Sequence, residues 1–300
     1  DKMDAVVSEL KEKNLLTESE GAMIVTFDDM PPAIILKQDG STIYATRDLA
    51  AAIYRKNTYN FYKNIYVVGL PQTLHFKQIF ATLKKMGKDF ADDCIHVGFG
   101  TVKFPDRAMS TRNGDVVLLE TVIDEAVKKT GEIMKENGNI NNIDEVASKV
   151  GIGAIFYTFL KNSREKDIIF QWDDILDFNG ESGPYVQYSY ARGMSVLSKA
   201  DNKVSAAVFD YEITDEEYTL SKLISEFAQV VIDAANKNEP FYITRYVTNV
   251  AKAFNKFYNT SPILKAEENI KNARLALTKA SCITIKNALS LLGIEVVNKM

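Results

Sequence analysis

Cysteine is almost missing: Cys94 and Cys282 are the two in 300 residues. They stand far apart with no metal-ligand pattern around them, which excludes a disulfide framework and a zinc site and leaves both as small core residues. Histidine is as scarce. His75 and His96 build no Ser-His-Asp or Cys-His arrangement, so a structural role is the plain reading of each, and no metal site is expected. No apolar run is long enough to cross a bilayer, and residues 1–20 lack a signal-peptide core; the expectation is a cytoplasmic chain with no membrane partner. GxGxxG, Walker and HExxH patterns are absent, which removes the commonest dinucleotide, phosphate-loop and metalloprotease readings. A charge excess is lacking too. With 36 basic and 40 acidic residues and a net charge of -4, the chain is not one that coats nucleic acid indiscriminately, although a local basic surface is still allowed. The chain opens Asp1, Lys2, Met3 without an initiator methionine and directly in the helical pattern Met3, Val6, Leu10, so it is expected to be a piece of something longer.

What is present describes a globular protein: 46% hydrophobic and 25% charged residues, at a length that favours two domains. The first hundred residues alternate strand and helix. AMIVTF (22–27), AIILK (33–37) and TIYA (42–45) read as short strands separated by turn residues. Thr46 is positioned to cap a helix through Leu49, Ala52 and Ile53, with Asp48 in its first turn. IYVVG (65–69) reads as a fully buried strand, followed by a helix with the stripe Ile79, Phe80, Leu83, Met86 and by a strand at CIHVGF (94–99). This β-α-β-α-β order predicts a parallel sheet covered by helices, with ligands gathering beyond the strand ends. From about Glu120 long helical patterns take over, at 120–136, 144–162, 184–200, 215–236, 241–259 and 265–292, and predict a helix bundle. No low-complexity tract or Pro-rich linker separates the halves.

Four stretches carry possible chemistry. In AMSTRNG (108–114) the hydroxyls of Ser110 and Thr111 and the guanidinium of Arg112 offer donors suited to phosphate oxygens, while Asn113-Gly114 equally suits a solvated hairpin turn. Tyr44 and Asp48, four apart, can face one small cavity, where the carboxylate could grip a planar guanidinium; a plain helix-start acid is the alternative. Gln72 follows the IYVVG strand and could reach the same cavity or simply bond its loop. In NGESGPYVQYSYAR (179–192), Gly180, Gly183 and Pro184 make a sharp helix entry, after which Tyr185, Tyr188 and Arg192 recur at helical spacing. Aromatics beside an arginine can stack unpaired bases, and a Tyr-rich buried helix would have the same spacing.

YATRDLAA (44–51), VVGLPQTLHFKQ (67–78), HVGFGTVKF (96–104) with MSTR (109–112) downstream, GPYVQYSYAR (183–192) and ARLALTKA (273–280) followed by LLGIE, taken in that order, resemble the arginyl-tRNA synthetases. The resemblance covers nearly the whole chain. It implies an α/β parallel-sheet, Rossmann-like class I synthetase domain, present in part over 1–119, followed by an all-α anticodon-binding bundle over 120–300 with its core at about 180–300. It also implies ATP-dependent activation of L-arginine and transfer to tRNA(Arg), with ATP and Mg2+ as the substrate complex, no tightly bound cofactor, and a monomer. The MSTR loop would be the counterpart of the KMSKS loop, so Ser110, Thr111 and Arg112 would act on the phosphates by electrostatic stabilisation, with Met109, His96 and Val97 also at the ATP. Ala108 and Thr111 stand where the class signature has lysines, which leaves Arg112 as the loop's cation. Tyr44, Asp48 and Gln72 would surround the arginine side chain, and Tyr185, Tyr188, Arg192 and Tyr258 would meet the tRNA. The family's HIGH-like motif is not found, so this chain by itself is expected not to form arginyl-adenylate. The alternative is a non-catalytic tRNA-binding paralogue.

Overall fold

The computed structural model describes residues 2–103, 118–137, 142–178, 180–200 and 209–300. Two compact units divide the chain, Asp1–Thr101 and Val102–Met300.

The first unit opens with α1 (Lys2–Glu12), which buries Val6, Val7 and Leu10, as the spacing predicts. Strands β1 (Thr17–Ser19), β2 (Ala22–Val25) and β3 (Ala33–Leu36) then form an antiparallel sheet in the order β1-β2-β3. The β1-β2 turn is Glu20-Gly21, with φ of 50° and 79°, the paired positive angles of a two-residue hairpin whose twist matches its strands. Helix α2 (Tyr44–Tyr59) follows, and ends at Asn60 in the left-handed conformation. Strand β4 (Asn64–Gly69), a 3-10 turn at Leu70–Gln72, α3 (Thr73–Lys85) and β5 (Cys94–Phe99) complete the unit, with β4 and β5 paired in parallel from Asn64↔Cys94 to Gly69↔Phe99. Leu10, Ile35, Leu49, Ile79, Leu83 and Met86 are its sealed core.

Three expectations change here. Parallel pairing in this unit is confined to β4-β5, because the connections between β1, β2 and β3 are too short for a crossover and fold back as hairpins. TIYA is not a strand: the chain enters α2 at Tyr44, and Ile43, which makes no side-chain cap, is the residue before it. Thr46 therefore lies inside the helix, fully buried, where its hydroxyl donates to the Ile35 carbonyl at 2.5 Å and ties α2 to β3. Lastly, β4 is covered on one face only; Tyr66 is buried, whereas Ile65 and Val67 are exposed.

Among its described residues the second unit pairs β6 (Val102–Lys103) in parallel with β7 (Ile168–Ile169) and has the helices α4 (Leu119–Asn137), α5 (Ile143–Leu160), α6 (Trp172–Ile175), α7 (Gly183–Lys199), α8 (Asp215–Ser225), α9 (Phe227–Lys237), α10 (Phe241–Thr260) and α11 (Glu268–Leu291). The pattern read as one helix over 215–236 is two, divided at Glu226. Helix α8 starts with a reciprocal capping box, Thr214 accepting from the Glu217 amide and Glu217 accepting from the Thr214 amide. Helix α7 is capped by Ser182, which accepts from the Tyr185 amide at 3.2 Å. Packed under both is a core that includes Phe254, Phe257, Leu275 and Ile285, and the buried Tyr157 of α5 donates to the Thr244 carbonyl of α10 at 3.0 Å, its phenol pushed up to about 12 by burial. Cys94 and Cys282 are both buried and free, and burial pushes the Cys282 thiol up to about 12, leaving it inert.

Helices α4 and α5 approach closely at Gly151, where an added Cβ would meet the Val127 backbone at 2.9 Å. Backbone cannot swing aside as a flexible side chain does. Gly151→Ala is expected to cost about 1–3 kcal/mol of stability, read as a lower urea midpoint at unchanged slope.

Candidate functional sites

Asp48 sits one turn into α2 beyond Tyr44, so the two share a helix face as the spacing of four requires. Its carboxylate is held from α3: His75 Nε2 donates to Asp48 Oδ2 at 2.6 Å, with the side chains 27% and 35% exposed respectively. The carboxylate is thus held through Oδ2 while its side chain stays partly exposed, an arrangement suited to receiving a donor-rich cation. Tyr44 is 76% exposed, with the Arg47 guanidinium over its ring at 5.6 Å. Gln72 is exposed at the end of the 3-10 turn, immediately before α3. Among the described residues no hydrogen bond joins Tyr44, Asp48 and Gln72 to one another; what gathers at Asp48 is His75, which sequence reading set aside as structural. The two residues are 27 apart and on different helices, so no local spacing announced the pair.

Phe76 separates the two imidazoles. His75 meets its ring edge-on at 5.2 Å, and His96 stacks on it at 4.8 Å. His96 Nε2 donates to the Val68 carbonyl of β4 at 2.9 Å, which fixes the tautomer and commits that nitrogen to backbone. Val97, next along β5, is buried, and a Cβ on Gly98 would come within 2.8 Å of the Leu70 side chain. This strand end therefore offers backbone rather than a free imidazole. Met109, Ser110, Thr111 and Arg112, with Ala108 and Asn113, lie outside the described residues. Among the described residues no group of three or more His, Cys, Asp or Glu is placed to hold a metal ion, and no helix is long and apolar enough to cross a membrane.

In the second unit all four residues proposed from the sequence for RNA meet on one face of α7 and α10. The Arg192 guanidinium packs against the ring of Tyr188, at 4.8 Å, and that of Tyr258, at 5.1 Å. Arg192 Nη1 donates to Asn255 Oδ1 at 2.6 Å. Asn255 Nδ2 in turn donates to the Tyr185 hydroxyl at 3.1 Å and to Ser189 Oγ at 2.8 Å. Tyr188 and Tyr258 are each 38% exposed, so both rings keep an open side. The neighbouring cations of α10 are already matched: Lys252 contacts Glu181 at 2.5 Å, and Lys256 contacts Glu216 at 3.3 Å. Asn255 and Ser189 escaped the sequence reading. The one signal available was that Asn255 stands three residues before Tyr258, on the same helix face.

Residues 1–172 match the family described as tRNA synthetases class I (R), catalytic domain, and residues 186–300 match the DALR anticodon binding domain. Helices α4 and α5, which the change of pattern near residue 120 assigned to the helical half, fall within the first match. Over its whole length the chain is 57% identical to an arginine–tRNA ligase of Clostridium kluyveri and to one of Clostridium botulinum. It spans 54% of the length of each. Among solved structures, the arginyl-tRNA synthetase of Thermus thermophilus superposes with a TM-score of 0.92 at 24% identity, over 100% of this chain and 58% of that one. That of Plasmodium falciparum does so with a TM-score of 0.82 at 26% identity, over 99% and 52%. A catalytic-domain match over more than half of the residues, continued by the anticodon-domain match, means that the chain belongs to the class I (R) tRNA synthetases.

Proposed function

We propose that the chain is the carboxyl-terminal part of an arginine–tRNA ligase, which activates L-arginine with ATP and transfers it to tRNA(Arg). The observation that carries this reading is the 57% identity, along the entire chain, with proteins of that name. In this reading Asp48 grips the substrate guanidinium while Tyr44 and Gln72 flank the side chain, and fork geometry rather than charge rejects lysine. As the arginine carboxylate attacks the α-phosphorus, Ser110, Thr111 and Arg112, with Met109, stabilise the charge building on the phosphates of the ATP-Mg2+ complex. His96 and Val97 meet the adenine through backbone. Residues 1–119 contribute to the catalytic domain, and the helical part, with its core at 180–300, reads the tRNA through Tyr185, Tyr188, Arg192 and Tyr258.

The test is the affinity of this chain for an arginine-tRNA transcript, at fixed salt, against the same transcript with its anticodon bases changed. A loss of about 1 kcal/mol or more on changing the anticodon is expected, and Tyr258→Ala should cost about 1–3 kcal/mol against the unaltered transcript. Equal binding to both transcripts would strip the bundle of its reading role. With tRNA(Arg) present, ATP-pyrophosphate exchange dependent on arginine is expected of the full-length protein and not of this chain alone; its absence from the full-length protein under those conditions would favour a non-catalytic, tRNA-binding relative.

A further inference from the structure

We infer that Asn255 is a positioning residue for tRNA binding: it pre-orders the Arg192 guanidinium against Tyr188 and Tyr258 and, being neutral, leaves the arginine's charge for an acceptor on the RNA. The inference rests on the reading of this face as the tRNA-binding one.

A long arginine side chain on a surface usually samples many rotamers, and ordering it on binding costs side-chain entropy. Here that ordering is built in. The guanidinium packs against two rings, those of Tyr188 and Tyr258, and Nη1 is spent on Asn255 Oδ1 at 2.6 Å. The amide cannot turn over, because its nitrogen is engaged at the same time by the Tyr185 hydroxyl and Ser189 Oγ. Ser189 is itself anchored by donating to the Tyr185 carbonyl at 2.9 Å. A network with every member satisfied fixes one geometry.

The chemistry of the partner also matters. Lys252 and Lys256 have carboxylates within reach, at Glu181 and Glu216, whereas among the described residues Arg192 meets no carboxylate within salt-bridge distance. Its one hydrogen-bond partner there is an amide oxygen. An aspartate at 255 would be nearly isosteric and would bind the guanidinium more strongly, yet it would cancel the charge. The remaining guanidinium donors suit an RNA acceptor, either a phosphate oxygen or the carbonyl edge of an unstacked base.

The experiment compares the full-length protein with its Arg192→Ala, Asn255→Asp and Asn255→Ala variants, measuring affinity for an arginine-tRNA transcript across a salt series, with urea unfolding alongside. Arg192→Ala and Asn255→Asp are each expected to weaken binding about tenfold, the value of one charged hydrogen bond, with Asn255→Asp unfolding no earlier than the parent. Asn255→Ala keeps the charge and loses only the order, so it should weaken binding several-fold without changing the salt slope. If the acceptor is a phosphate, Asn255→Asp lowers the slope of log affinity against log salt by about 0.7 and does so for any transcript. If it is a base edge, the loss disappears once the anticodon is changed. Should Arg192→Ala weaken binding while Asn255→Asp and Asn255→Ala leave it unaltered, the positioning role is overturned and the tRNA reading stands. Wild-type binding by all three variants would overturn the reading of this face, and the inference with it.

Discussion

On the proposed reading of Asp48 as the guanidinium partner, replacing it with asparagine in the full-length protein is expected to raise the KM for arginine roughly 30-fold, a loss of about 2 kcal/mol in binding. The figure is held at the lower end for removal of one charged partner because the Asp48 side chain is 35% exposed and water screens what it binds. Asparagine keeps the size but replaces one carboxylate oxygen by a donor, so a guanidinium bound there would meet an N–H in place of a lone pair. The rotamer left to it is constrained as well. His75 Nε2 donates to Oδ2 at 2.6 Å, and an asparagine that satisfies His75 with its oxygen must turn its nitrogen toward the substrate. Such binding is made equally in the ground and transition states, so KM should move and kcat should move little. Asp48→Glu retains the charge a methylene further out and should fall between. ATP-pyrophosphate exchange in the presence of tRNA(Arg), with arginine as the varied substrate, decides the matter, and an unaltered KM in Asp48→Asn would remove this carboxylate from the proposed site.

How much of this could be read from the sequence depends on how far apart the partners are. Helices α4, α5, α7, α10 and α11 were legible to within a few residues because a 3.6-residue apolar period is a local property. The break at Glu226 was not, since Ile224, Phe227 and Val230 continue the apolar pattern across it while the backbone turns. Thr46 shows the limit more sharply. A threonine hydroxyl near a helix start can cap it or can bond a carbonyl elsewhere, and the partner it takes, Ile35, belongs to a neighbouring strand. Strand direction was likewise hidden: AMIV and AIIL have the composition of parallel strands, but pairing follows from connection length and from the turn angles at Glu20-Gly21. At the sites, residue types were readable and their neighbours were not. The i, i+3 and i+4 relations of Tyr185, Tyr188 and Arg192 mark one face of α7, but that Asn255 of α10 would close on Arg192 is a tertiary fact. His75 at Asp48 is another.

The largest effect on stability is expected at a pair that the sequence reading passed over. Glu217 of α8, 1% exposed, accepts from Arg274 Nε of α11 at 2.7 Å, from the Tyr211 hydroxyl at 2.9 Å and from the Thr214 amide at 2.7 Å. Arg274 Nη1 also donates to the Pro262 carbonyl at 2.8 Å, so this guanidinium holds the chain between α10 and α11 as well as the α8 cap. Arg274→Met preserves the stem's packing and leaves a buried carboxylate without its counter-charge, which should cost about 3–5 kcal/mol in urea unfolding. Adding Glu217→Gln should return part of that loss, because the charge left stranded is then gone; a double variant as unstable as the sum of the singles would refute the coupling. Acid supplies an independent check. Burial pushes the Glu217 carboxyl up, but the hydrogen bonds from Thr214, Arg274 and Tyr211 outweigh it and hold it below the ordinary value of 4.5. A carboxyl depressed in the folded state contributes stability that is present above its unfolded value and is lost as pH falls through the folded one. The parent should therefore lose stability more steeply than Glu217→Gln as pH drops below about 4.5, and parallel pH profiles for the two proteins would mean that the buried pair contributes nothing at neutral pH.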